Sequence, residues 1–290
     1  MVSKTRIARR RFLSATLALG AVLRFPASAQ AAGSTHSSGL CQLSAEQEVG
    51  PYYIEDELLR SNITEGRTGV PLLLNIALVD ARRCLPLANA IVDIWHCDAL
   101  GIYSGFTKTK QSALPPGPMP TGAFGPPPGA GDLHGQLSPP PPQGKPTDRL
   151  TFLRGVQRSD AHGNVVFQTI FPGFYPGRTN HIHFKVRVAG SAGDGSLKGE
   201  HVSHVGQIFF PEKLTVLLMQ DRPYRDHRIQ RTALADDEVF LDQQGAASIA
   251  RFQALDSSAA SNGLRAQIIA AVDPESEPVA AQRSVGAFHG

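Results

Sequence analysis

His181-Ile182-His183-Phe184-Lys185-Val186-Arg187-Val188 alternates polar and apolar side chains without a break. A β-strand sends successive side chains to opposite faces, so this period of two predicts a strand with Ile182, Phe184, Val186 and Val188 turned into a core. The two histidines then project together from the other face. Paired imidazoles at this spacing can hold one metal ion, but the pattern also suits two polar surface side chains. Its neighbours have to decide.

The same strand grammar extends in both directions. Pro71–Asp80 is a nearly continuous apolar run, and Ala90–His96 is rich in β-branched residues. Gly163–Ile170 alternates, and Val205–Phe210, Ala247–Leu255 and Leu264–Val272 complete seven candidate strands. With 28 Gly and 22 Pro between short strands, an all-β fold is expected: a β-sandwich of mixed short strands, with long loops carrying the metal site. Residues 107–146 hold 12 of the 22 prolines, which excludes a helix or a central strand and predicts an inserted loop. Residues 275–290 show no periodicity and read as a disordered tail.

The first 30 residues have another character. Arg9-Arg10-Arg11-Phe12-Leu13 is a twin-arginine signature, although Ala8 stands where Ser or Thr is usual. Phe12–Leu23 is apolar but too short to span a bilayer, and Ala27-Ser28-Ala29 offers a cleavage site. Residues 1–30 are thus expected to be a signal peptide and 31–274 the folded domain. Export by the twin-arginine route to the periplasm or the medium follows, with no stable membrane insertion after cleavage. Six of the basic residues lie in this leader, so the formal net charge of +3 becomes −3 without it. No electrostatic case for nucleic acid remains. The three cysteines, Cys41, Cys84 and Cys97, predict one disulfide that includes Cys84 and one free thiol in an oxidising compartment.

Two tyrosines frame the histidine strand. Tyr175 lies in Pro172-Gly173-Phe174-Tyr175-Pro176-Gly177-Arg178, a rigid, turn-rich segment six residues before His181. Tyr103 follows the strand that ends Trp95-His96. A lone Tyr is more often a half-buried packing residue. Two Tyr with two His are a specific set, because phenolate is a hard anionic ligand that suits a trivalent ion such as Fe(III). The common Fe(II) oxygenase site needs two His and a carboxylate, and no acid lies within this cluster.

Five segments carry a resemblance: EVGPYY (Glu48–Tyr53), LLRSNITEGRTGVPLLL (Leu58–Leu74), CLPLANAIVDIWHCDALGIYSGF (Cys84–Phe106), FLRGVQRSDAHGNVVFQTIFPGFYPGRTNHIHFKV (Phe152–Val186) and GQIFF (Gly206–Phe210). Together they resemble the intradiol ring-cleavage dioxygenases, such as catechol 1,2-dioxygenases and protocatechuate 3,4-dioxygenases. The resemblance runs from about Cys41 to about Asp273. It implies an Fe(III) enzyme that uses O2 to open a small aromatic diol between its two hydroxylated carbons, giving a cis,cis-muconate-type product. It implies Tyr103, Tyr175, His181 and His183 as metal ligands, with Tyr175 leaving when substrate binds. It also implies Arg178 as a catalytic cation over the ring, and Trp95 and Gln207 as substrate-pocket residues. The sequence departs from the family in its Pro/Gly-rich insertion, in His162 where such a turn usually has an acid, and in lacking an amino-terminal helical dimerisation domain. Substrate identity and oligomeric state stay open, a homodimer among the options.

Two other classes compete. One is another His-ligated metalloenzyme on a β-sandwich, such as an exported Cu,Zn superoxide dismutase, but the remaining histidines lack the necessary spacing. The other is a non-catalytic exported binding module with Trp95 and the tyrosines as a stacking platform.

Overall fold

The computed structural model describes residues 42–55, 58–109, 144–189, 200–256 and 259–278, which form two facing sheets. In the first, β1 (Pro71–Asp80) is flanked on one side by β2 (Leu85–Pro86) and β5 (Asn164–Ile170). On its other side it pairs in parallel with β9 (Leu264–Val272), which in turn pairs with β8 (Arg251–Ala254). The second sheet is antiparallel throughout, in the order β4 (Arg154–Arg158), β3 (Ile91–Trp95), β6 (His181–Ala189), β7 (Glu200–Phe209).

The core lies between the sheets. β1 buries Leu72, Leu74, Ile76 and Leu78 on alternate positions, and β6 meets them with Ile182, Phe184, Val186 and Val188. The expected apolar face of the histidine strand is therefore a core face. Its other face is buried too. His181 and His183 are each 1% exposed, because three loops lie over the outer surface of the second sheet and form a separate cluster there. That cluster contains Val49, Tyr52, Trp95, Cys97, Tyr103, Phe106, Tyr175 and Val205.

The all-β expectation holds, with local differences. β4 carries RGVQR, which has too little apolar alternation to be read as a strand. Ala247–Leu255 shortens to β8 behind a 3-10 turn at Gly245–Ser248. Two helices were not foreseen, α1 (Glu212–Leu218) and α2 (Glu238–Asp242), both too short for a 3.6-residue period to declare itself. No helix among the described residues is long and apolar enough to cross a membrane. The expected leader, residues 110–143 of the Pro/Gly-rich stretch and residues 279–290 of the expected tail lie outside the described residues. The insertion's flanks are clasped together: Asp148 accepts from Gly105 N (3.0 Å), Thr107 N (2.8 Å) and Thr107 Oγ1 (2.7 Å). Cys84 is disulfide-bonded and Cys97 is a buried free thiol; Cys41 lies outside the described residues.

Two buried histidines outside the loop-covered site set an acid limit. Burial pushes the imidazoles of His96 and His204 down to about 4. In the unfolded chain they would titrate near the ordinary value of about 6.5. The unfolded state thus binds more protons below that pH, and stability falls as pH drops from about 6.5 toward 4, by up to about 3 kcal/mol per histidine. Thermal melts between pH 7 and 4 should show this fall. Replacing His96 by Gln should remove roughly half of it, leaving the His204 part, even though the fold then loses one of the contacts to Cys97 O (2.8 Å) and Thr169 Oγ1 (2.7 Å).

Candidate metal centre

Strand register builds the floor of the site. Trp95 on β3 pairs with His183 on β6, and His183 pairs with Gln207 on β7. Directly opposed residues share a face, so Trp95, His183 and Gln207 form one row across the outer surface of the sheet. The Trp95 ring stacks on the His183 imidazole at 5.0 Å between centroids with planes 4° apart. His181 stands one step along the same face, its ring 4.7 Å from that of His183.

The imidazoles are chemically oriented. His181 Nδ1 donates to the Thr179 carbonyl at 2.7 Å, which leaves Nε2 as its lone-pair nitrogen. That Nε2 lies 3.0 Å from His183 Nε2. Burial holds both rings well below the ordinary histidine range, with the Arg178 charge adding to the effect, so both are neutral at physiological pH. Neutral imidazole is the metal-binding form.

Two loops deliver the phenols. After β3 the chain turns around Asp98, whose Oδ1 accepts from Leu100 N and Ile102 N, both at 3.0 Å, and this turn presents Tyr103. The second loop, after β5, presents Tyr175. The loops meet backbone to backbone: Gly173 N donates to Asp98 O at 3.1 Å. A Cβ on Gly173 would stand 2.4 Å from that oxygen, and one on Gly101 (φ +80°) 2.1 Å from Phe174 O. Only glycine allows so close an approach. Buried Arg154 fastens the first loop from below, donating to Ser104 Oγ (2.9 Å), Ser104 O (2.8 Å) and Tyr52 O (2.8 Å).

As a result the Tyr103 and Tyr175 rings lie 5.8 Å apart, and Tyr175 is 5.6 Å from the His181 ring. Tyr52 stacks on Tyr103 at 4.4 Å and closes the aromatic wall. Burial pushes both phenols above their ordinary value; for Tyr175 the Arg178 guanidinium opposes the shift. The Tyr103 hydroxyl and His183 Nδ1 are buried with no hydrogen-bond partner. Among the described residues no three His, Cys, Asp or Glu side chains converge as a metal site. Two imidazole Nε2 atoms and two phenol oxygens make a hard, mixed N/O donor set. A bound cation would satisfy the orphaned hydroxyl and reverse the upward shift of the phenols.

Arg178 borders this set. Its Nε donates to Asp237 Oδ2 (2.9 Å), one terminal nitrogen to Gln207 Oε1 (2.5 Å), and the other to Tyr175 Oη (3.4 Å), 3.6 Å from a Glu48 oxygen. The structure thus brings Tyr103, Tyr175, His181, His183, Arg178, Trp95 and Gln207 into one buried cluster. Asp237, Glu48 and Tyr52 were not singled out in the sequence. Asp237 and its short helix lie outside the five quoted segments, and the helix it caps is too short to leave a periodic signal in the sequence.

No family model and no curated protein matches the sequence. Among solved structures, the chain is similar to an intradiol ring-cleavage dioxygenase from Tetranychus urticae, with 32% identity and a TM-score of 0.63 over 82% of this chain and 98% of that one. A second solved dioxygenase matches at 32% identity and a TM-score of 0.65, over 83% of this chain and 98% of that one. At that identity, with nearly the whole of the relative covered and the tyrosine–histidine cluster assembled on the outer sheet face, the chain belongs to the intradiol ring-cleavage dioxygenases.

Proposed function

We propose that the enzyme is Fe(III)-dependent and opens a catechol-type aromatic diol between its hydroxylated carbons with O2, to a cis,cis-muconate-type product. The observation that carries this reading is the convergence of His181 Nε2 and His183 Nε2 at 3.0 Å beside two buried phenols, one with an orphaned hydroxyl. Tyr103, Tyr175, His181 and His183 would hold the ion. Bound Fe(III) would supply Lewis acidity that favours the doubly deprotonated diol and draws electron density from its ring.

The chain's own groups do the rest. Ionised by the bound cation, Tyr175 Oη would take the proton of one substrate hydroxyl as a general base, the second proton leaving to solvent. Arg178 offers a fixed, always-charged fork for the negative charge that develops on the ring, and Gln207 Oε1 holds one arm of it. Tyr52, Trp95 and Phe106 enclose the diol in an aromatic wall that excludes water, which strengthens each of these charges.

We also propose that residues 1–30 direct export by the twin-arginine route and that 31–274 form the catalytic domain. The disulfide at Cys84 supports an oxidising destination.

Purified protein should contain about one iron per chain and be red-brown from tyrosinate-to-iron charge transfer. Oxygen uptake should follow addition of at least one member of a catechol panel. A colourless protein holding zinc, a blue-green one holding copper, or no uptake with any catechol would overturn the reading.

A further inference from the structure

Asp237 lies in the segment between β7 and β8, 59 residues beyond Arg178, and is 0% exposed. Its carboxylate divides its work. Oδ1 accepts from Phe240 N at 2.9 Å and caps α2. Oδ2 accepts two bonds at once, from Arg178 Nε at 2.9 Å and from Thr179 N at 2.7 Å. The next carbonyl along the chain, Thr179 O, is the one that accepts from His181 Nδ1. One carboxylate oxygen therefore restrains both the guanidinium beside Tyr175 and the backbone that fixes the His181 tautomer. The capped helix is itself seated by Phe209, Leu234 and Val239, with Phe240 and Ile249 packed against them, so the anchor is rigid.

We propose that Asp237 is a positioning residue for this reaction, aligning Arg178 over the substrate and His181 toward the ion through Thr179. This rests on the reading of Arg178 and His181 given above. Asp237 touches neither substrate nor ion in this scheme; it acts through two groups that do. A fully buried carboxylate with three fixed donors costs little to reorganise during turnover, which is what preorganisation requires. Among the described residues, Asp237 Oδ2 is the acceptor that holds Arg178 Nε.

Two variants separate capping from positioning. Asp237→Ser keeps an N-cap oxygen for Phe240 N but is too short for Arg178. Its kcat should fall roughly 10²-fold, as a misplacement on the scale of 1 Å does, with a smaller change in KM and with iron retained. In the metal-free protein, ring-nitrogen NMR should show a single His181 tautomer protonated at Nδ1, and the serine variant should show a second. Arg178→Lys leaves the carboxylate and its cap in place but offers no Nε. It should lose kcat to a similar extent, and the double variant should lose clearly less than the product of the two single losses, because the two residues share the Nε bond. If Asp237→Ser kept the wild-type kcat and tautomer, Asp237 would be a helix cap and the proposal would fall. Wild-type kcat in Arg178→Lys, or fully additive losses in the double variant, would overturn it as well, even if Asp237→Ser could not be folded. A wild-type protein inactive on every catechol would instead count against the function, while the tautomer measurement would still decide the role of Asp237.

Discussion

Tyr175→Phe should keep its fold and its iron yet lose roughly 10² to 10⁴ in turnover, the usual worth of a general base. The ring is not what is being removed. Phe retains the edge contacts to Tyr52 (5.5 Å) and His181 (5.6 Å), so no cavity opens in the aromatic cluster. The hydroxyl is the change, and it is the group on the Tyr175 side chain that the Arg178 guanidinium touches, at 3.4 Å. Burial makes this phenol hard to ionise, and the guanidinium works in the other direction. A cation bound beside it would complete that shift and leave a phenolate ready to accept a substrate proton. The segment around Tyr175, between Pro172 and Gly177, belongs to no strand, so its side chain can give way to a diol without breaking a ladder. Iron content and kcat measured on the same preparation decide the matter. If the variant turned over catechol at the wild-type rate with iron bound, the proton would be going elsewhere.

The two tyrosines were separable in the sequence only by their neighbours: one between Pro and Gly residues, the other following a strand. What made the site legible was period. HIHFKVRV has one reading as a strand, and that reading already put both imidazoles on one face and four apolar side chains in the core. The apolar runs of β1, β3, β5 and β9 were readable for the same reason, since an inner strand must fill the space between two sheets. β4 was not, because Arg154 turns its polar end to the Ser104 loop rather than to solvent and Gln157 donates to the Val166 carbonyl of β5, and alternation disappears. Nor could a local pattern reveal that the polar face of β6 is as dry as its apolar face. That dryness comes from loops supplied by residues 47–54, 97–106 and 171–178, each distant in sequence from at least one other. The same limit hid Asp237. Its partners are 58 and 59 residues away, and a short cap of the form Asp-Glu-Val carries no sign of what its second oxygen will hold.

Tyr103→Phe should act in opposite directions on the metal-free and the iron-loaded protein. In the structure the Tyr103 hydroxyl is buried and unpartnered, the ring is 2% exposed, and it stacks on Tyr52 at 4.4 Å. A buried hydroxyl without a partner costs about 1–3 kcal/mol, and Phe removes it while keeping the ring. The metal-free variant should therefore melt at the same temperature as wild type or above it. With iron, the sign reverses. The variant has lost one of two anionic oxygen donors, which should weaken iron retention by more than the ~10–100-fold that loss of a mere supporting group costs. Its charge-transfer colour should fade more than that of Tyr175→Phe, because Tyr103 is held by the loop that Asp98 and Arg154 brace and is placed to stay on the ion throughout. Melting curves with and without iron, together with a chelator competition, provide both signs. A variant destabilised without metal and unchanged with it would mean that the hydroxyl serves the fold and not the ion.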